Sequence, residues 1–326
     1  MRILVTGGYG CIGSWIVKNL IERGDRVWVY DLKEDHSRMQ LIMDSHPMGE
    51  VRFVAGDVTD LRTVRRALET HEVTHVIHLA GLQVPACRAD PLRGAHVNVI
   101  GTLAVFEAVR ELSGQVKRIV YASSAAVHSR PEEHAGGPVG DEVRLAPVTH
   151  YGAFKAANEA SARVYWLDYA ISSVGLRPWT VYGVGRDYGL TSAPTKALKA
   201  VVVGRPFHIP YGGRQDLQYV DDVARTFIRA LEAPVDGARV YNLRGAVVEI
   251  DEFVDAVAQV AAEARQLITH GTTQLPISFD LSDERLVREI GEIPKTPLVE
   301  GIRQTVEHFR RLQSEGRLDT SDLDQP

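Results

Sequence analysis

Tyr151-Gly152-Ala153-Phe154-Lys155 sets a phenol and an ammonium four residues apart, which stacks both side chains on one face of a helix. A free tyrosine titrates near ~10, so a fixed cation beside it is what brings a phenolate within reach of neutral-pH proton transfer. Alone, the spacing is common, and a tyrosine packed beside a solvated lysine shows it equally. Its weight comes from two other segments. Tyr121-Ala122-Ser123-Ser124 places hydroxyls at the end of an apolar run, where a serine can hold a substrate oxygen while Tyr151 moves its proton. Thr6-Gly7-Gly8-Tyr9-Gly10-Cys11-Ile12-Gly13 follows the first apolar run with a G-x-x-G-x-x-G spacing and opens a helical pattern. Glycines there let the backbone turn and approach a pyrophosphate at a helix N-terminus, although a strand-to-helix turn with packing glycines reads the same way. Asp31 closes the second run, where a carboxylate accepts hydrogen bonds from an adenosine ribose and repels the extra phosphate of NADP. Lys33 and Arg38 lie close enough in sequence to serve that phosphate instead. Asp57 ends the third run, placed either to meet the adenine or to make a turn or helix cap.

These residues need a frame. Apolar, β-branched runs at 2–6, 26–30, 51–55, 74–80, 117–122 and 172–177 alternate with helix-length segments, the pattern of a parallel sheet covered on both faces. The expected fold is α/β, a Rossmann-like doubly wound parallel sheet over 1–177 with a smaller C-terminal substrate-binding lobe over 178–313. A strand near 240–243 would return to the main sheet, and 314–326 would form a flexible tail. Helices are expected at 220–232, 250–266 and 298–313. Ligands of such folds lie beyond the carboxyl ends of the strands, so chemistry is to be sought in the segments just after Thr6, Tyr30, Ala55, Ala80, Ala122 and Arg177.

With 326 residues, 44% apolar and 24% charged, the chain has ordinary globular composition, and its net charge of −5 gives nucleic acid or an anionic membrane no basic field to meet. No run approaches the ~18 apolar residues of a spanning helix, and Arg2-Ile3-Leu4-Val5-Thr6 is too short for a signal peptide. Cys11 and Cys87 fit neither a disulfide framework nor a zinc site, and His78, His96 and His150 lack metal-ligand spacing, so no metal is expected. A cytoplasmic protein is the expectation.

Taken in order, the glycine loop, Asp31, Asp57, His78-Leu79-Ala80-Gly81, Asn98-Val99-Ile100-Gly101-Thr102, the serine pair and Y-x-x-x-K resemble the extended short-chain dehydrogenase/reductase family. The resemblance continues through Tyr182-Gly183, Tyr219-Val220-Asp221-Asp222 and Tyr241-Asn242-Leu243 to roughly Phe309. It implies NAD as cofactor, with Tyr151 as general acid/base, Lys155 on the nicotinamide ribose and Ser124 orienting the reacting oxygen, while Ser123 is structural. It implies cofactor contacts from Gly7, Gly10, Cys11, Ile12, Gly13, Asp31, Asp57 and Val58. Further contacts would come from Leu79, Ala80, Gly81, Asn98 and Pro178; Asn98 would support its helix or a proton relay, or merely pack.

Within that family, 4,6-dehydratases follow the catalytic hydroxyl with an Asp-Glu pair, where this chain has Ala125-Ala126, so dehydration is not expected. Ser124-Ala125-Ala126-Val127 resembles UDP-galactose 4-epimerases. Yet Thr180 stands where many of them carry an asparagine, and Gln215-Asp216 where an Arg-Asp pair clamps a phosphate, with Arg214 one position away. Net oxidation of a sugar, sugar acid or related carbohydrate is therefore expected first. A nucleotide-sugar epimerase with tightly bound NAD comes second, and a catalytically silent nucleotide sensor, which the intact Tyr-Lys set opposes, third. Gln83, Ser124, Thr180, Arg186 and Arg214 are candidate substrate contacts; Arg177 and His208 are further candidates for an anionic substrate, or are bridging and surface residues. The resemblance also implies a homodimer through 98–112 and 151–169, offering Val105, Phe106, Val109, Val164 and Trp166, though core burial explains the same residues.

Overall fold

Along Arg26–Asp31 (β2), Val27 and Val29 enter one hydrophobic cluster while Trp28 and Tyr30 enter another. Successive strand side chains point to opposite faces, so an unbroken apolar run means that both faces are covered. The same split holds for Arg2–Thr6 (β1), where Ile3 and Val5 oppose Leu4. In this computed structural model, which describes residues 1–134 and 137–324, these strands form the centre of a seven-stranded parallel sheet. The others are Arg52–Ala55 (β3), His75–His78 (β4), Arg118–Ala122 (β5), Ser173–Arg177 (β6) and, from later in the chain, Ala238–Asn242. After β6 the chain forms Thr180–Tyr182 (β7), Phe207–Ile209 (β8), Arg214–Tyr219 (β9), Ala238–Asn242 (β10), Ala246–Glu249 (β11) and Ile268–His270 (β12).

The sheet order is β10-β6-β5-β4-β1-β2-β3. The order reverses between β1 and β4, which opens a crevice at their carboxyl ends. Register levels those ends, with Thr6 opposite both Tyr30 and His78, His78 opposite Tyr121, and Ala122 opposite Leu176. β10 is the returning strand expected near 240–243, and it pairs with β6. β4 stops at His78, two residues short of expectation, though the Leu79 N–H still donates to Thr6 O.

The chain after β6 builds a three-stranded sheet (β11-β9-β7) and a β8-β12 pair. Helices Val220–Glu232 and Leu298–Ser314 agree with expectation to within a residue. The helix expected at 250–266 is instead Ile250–Ala258 and Ala264–Leu267, separated by a turn that buries Ala261 and lets β12 reach β8. The expected loose tail is also different: Lys199 Nζ bonds Asp319 O at 3.0 Å and both oxygens of Asp322, and Arg317 donates to Gln40 O. Opposite charges buried together hold the residues up to Asp324 against the body. Val105, Phe106 and Val109 are core, with Phe106 stacked on Tyr165, so they present nothing to a partner. No described helix is long and apolar enough to cross a membrane.

Candidate active site

Gly7 leaves β1 with φ +68°, and a Cβ there would lie 2.7 Å from Ala80 N. A Cβ on Gly13 would lie 2.5 Å from Gly7 O. Only glycine permits this closeness, which brings the loop under the N-terminus of helix Cys11–Glu22. Gly10 is its N-cap and no side chain caps it, so the first-turn N–H groups at Cys11, Ile12 and Gly13 are left for a ligand. That cradle fits a pyrophosphate. Asp31 Oδ1 accepts from Leu32 N at 2.8 Å, and burial raises its carboxyl above the usual range. Arg38 is not free: its Nε and Nη2 bond the two oxygens of Asp187 at 2.9 and 2.7 Å.

Asp57 accepts from the N–H and hydroxyl of Thr59 at 2.9 and 2.8 Å, so its side chain stitches a turn, while Asp60 caps helix Leu61–Thr70. Val58 packs beneath Gly101, where a Cβ would lie 2.7 Å from it. Past β4, Ala80 N donates to Thr6 Oγ1, and a Cβ on Gly81 would meet Asn98 Oδ1 at 2.7 Å. Asn98 sits in a π-helical turn, His96–Ile100. Its amide is spent on the protein, accepting from Leu82 N at 2.7 Å and donating to Leu82 O and Cys87 Sγ. It shapes the wall beside Lys155.

The helix that carries Tyr151 and Lys155 runs His150–Tyr169, with Gly152 N donating to the capping Thr149 hydroxyl at 3.0 Å. A Cβ on Gly152 would lie 2.1 Å from Ala126 O, so glycine alone lets the helix meet the chain after β5. That contact brings Ser124 close enough to Tyr151 for its hydroxyl to favour the phenolate. Lys155 Nζ lies 5.6 Å from the Tyr151 ring centroid and donates to Ala122 O at 2.7 Å. Burial brings the ammonium down to about 8, with Cys87 and Glu159 opposing. Burial raises the Tyr151 phenol, against which the Ser124 hydrogen bond and the Arg186 charge act. This arrangement can hold a hydroxyl at Ser124, move its proton at Tyr151 and stabilise the phenolate with Lys155.

Ser123 is indeed turned inward, donating to Glu159, which also receives Arg177 Nε and Nη2 at 2.8 and 2.7 Å. Arg177, 3% exposed, is thus a buried structural partner and not a substrate contact. Glu159 was not singled out from sequence, although it lies one turn beyond Lys155 on the same face. His78 is buried between Thr6 and Thr102 and brought down to about 3 by desolvation, a packing residue. His150 stacks on Phe154.

Among the candidate substrate contacts, Arg186 Nη1 reaches Gln83 Oε1 at 3.5 Å and Nη2 reaches Thr191 Oγ1 at 2.8 Å, while Nε is buried without a partner. Arg186 is near enough for its charge to bear on Tyr151, and Gln83 sits beside it. Pro178 follows β6 and its carbonyl accepts from Ala125 N at 3.0 Å. Thr180 Oγ1 and both amide atoms of Gln215 are buried without partners. Arg214 is exposed and faces Glu249 at 3.3 Å, and His208 is exposed and bonds Thr269 at 2.9 Å; neither is brought to Tyr151. No group of three or more His, Cys, Asp or Glu among the described residues could hold a metal.

Comparison with known proteins identifies the family. A profile of the NAD dependent epimerase/dehydratase family matches residues 3–243. The UDP-glucose 4-epimerase of Mycolicibacterium smegmatis is 30% identical over 317 residues, covering 95% of this chain and 99% of that protein. The Thermus thermophilus UDP-glucose 4-epimerase in complex with NAD superposes with a TM-score of 0.80 at 31% identity, covering 95% and 99%. MoeE5 in complex with UDP-glucuronic acid and NAD gives 0.80 at 26% identity, with the same coverage. The chain belongs to the NAD dependent epimerase/dehydratase family and is an NAD-dependent enzyme of the extended short-chain dehydrogenase/reductase type.

Proposed function

We propose that this enzyme oxidises a secondary alcohol of a small carbohydrate, above all a sugar acid, and releases reduced cofactor on each turnover. The observation that carries this reading is the charge layout of the substrate side. The β9 position expected to clamp a diphosphate holds uncharged Gln215, fully buried, and Arg214 turns to Glu249. The cation that does act on Tyr151, Arg186, makes no ion pair among the described residues. A lone guanidinium beside the reacting hydroxyl suits a carboxylate on the substrate.

In this reading Ser124 holds the substrate hydroxyl, Tyr151 takes its proton and Lys155 stabilises the resulting charge. NAD, when bound, supplies the hydride acceptor; Gly7, Gly10, Gly13, Asp31 and Lys155 would hold it. A second reading, nucleotide-sugar 4-epimerase, is favoured by the names of the relatives above. Incubation with NAD and a panel of aldonates, uronates, free sugars and UDP-sugars separates the two. Stoichiometric reduction of added NAD with an acid substrate is expected. Interconversion of UDP-sugars without net reduction, with NAD released only on denaturation, would replace this reading with the second. The protein is further proposed to be cytoplasmic, given two unbridged cysteines, and to work as a homodimer.

A further inference from the structure

Neighbouring residues of one loop face two different parts of the cleft. Between β7 and helix Ala193–Val202 the chain passes Gly183, Gly185 and Gly189, all with positive φ. Arg186 turns toward Gln83 and Tyr151, while Asp187 turns to the glycine-loop side and takes Arg38 in the two-pronged pair described above. Arg38 Nη1 also donates to Tyr9 O at 3.3 Å, inside the glycine loop, and Trp15 Nε1 fastens the same segment through Val184 O at 2.9 Å. Lys196 also feels the Asp187 charge.

Arg38 lies close enough to Asp31 for its charge to act on that carboxyl. The surroundings are otherwise acidic, since Asp31, Glu34 and Asp35 all raise the Tyr9 phenol. Lys33 is exposed. Arg38 is therefore the cation best placed for a phosphate at the adenosine ribose, and its guanidinium fork is occupied by a carboxylate that arrives from the far half of the chain. A guanidinium fits phosphate as well as carboxylate, so what holds the fork decides which anion it can meet.

We propose that Asp187 is a cofactor-specificity residue acting through Arg38: by holding that guanidinium it denies it to the 2′-phosphate of NADP, reinforcing the preference that Asp31 begins. The inference rests on the NAD reading of Asp31 and adds a determinant outside the dinucleotide-binding half. The test is direct binding of NAD and NADP, measured by titration calorimetry on the full chain without substrate. Wild type is expected to prefer NAD. Asp187→Asn is expected to shift the NADP-to-NAD affinity ratio toward NADP by about tenfold, the scale of one charge-assisted hydrogen bond. Adding Arg38→Gln to that variant is expected to abolish the shift. An unchanged ratio in Asp187→Asn, or equal weakening of both cofactors, overturns the proposal by reducing Asp187 to a loop fastener. A shift that survives Arg38→Gln overturns it too, by assigning the effect to another cation. A wild type that prefers NADP would instead sink the reading of Asp31 itself.

Discussion

At Lys155 two effects oppose each other: burial disfavours the ammonium, while the nearby Glu159 and Cys87 favour it, and burial wins, leaving a value of about 8 against an ordinary 10.5. The consequence for activity has a definite sign. Below about pH 8 the ammonium is present to stabilise the Tyr151 phenolate; above it the charge is lost. The pH profile of kcat/KM for alcohol oxidation is expected to fall through about 8, not near 10. Stability runs the other way, because the buried ammonium destabilises the fold below about pH 8 and is relieved as pH climbs toward 10.5. Tyr151→Phe keeps the ring and removes the proton-transfer group, so kcat is expected to drop by roughly 10²–10⁴ with NAD affinity little changed. The juxtaposed Tyr151-Lys155 pair of the candidate site was legible in the sequence because its spacing is local, and Ser124 because it closes an apolar run. Glu159 and Asp187 were not, since their guanidinium partners stand 18 and 149 residues away.

At the scale of elements, the site depends on how closely backbones approach. Gly13→Ala would push a Cβ to 2.5 Å from Gly7 O, so the loop must deform, and NAD affinity is expected to fall at least about tenfold while far-ultraviolet circular dichroism stays native. The Glu159-Arg177 pair ties the catalytic helix to β6, and Ser123 adds the end of β5. Arg177→Met would leave Glu159 buried and uncompensated, a loss of about 3–5 kcal/mol readable in chemical denaturation. The strands of the seven-stranded sheet were readable to within a residue or two because their apolar runs bury on both faces, whereas the short strands β7, β8, β9, β11 and β12 were not. The break between Ala258 and Ala264 was not, since it follows from the distant demand of β12 for β8. Periodicity alone also cannot separate a core face from a docking face, which is why Val105, Phe106 and Val109 read either way.

For the whole molecule, the exposed large apolar side chains that remain on the proposed dimer segments are Ile100, Val164, Leu167 and Tyr169, with Leu167 62% exposed. The proposed homodimer would bury them. Light scattering is expected to report a dimer for wild type and a monomer for Leu167→Glu, and a monomeric wild type would exclude the assembly. The tail bears on how the protein is handled. Because Asp322 reaches back to an almost buried Lys199, residues 315–324 act as a strap across the helix that carries that lysine. Trimming the chain after Ser314 to ease crystallisation would strand the ammonium, with a stability loss on the order of 2 kcal/mol in thermal unfolding. An affinity tag would sit better at an exposed loop than fused to that strap, where a protease removing it would be cutting beside a fastening of the fold.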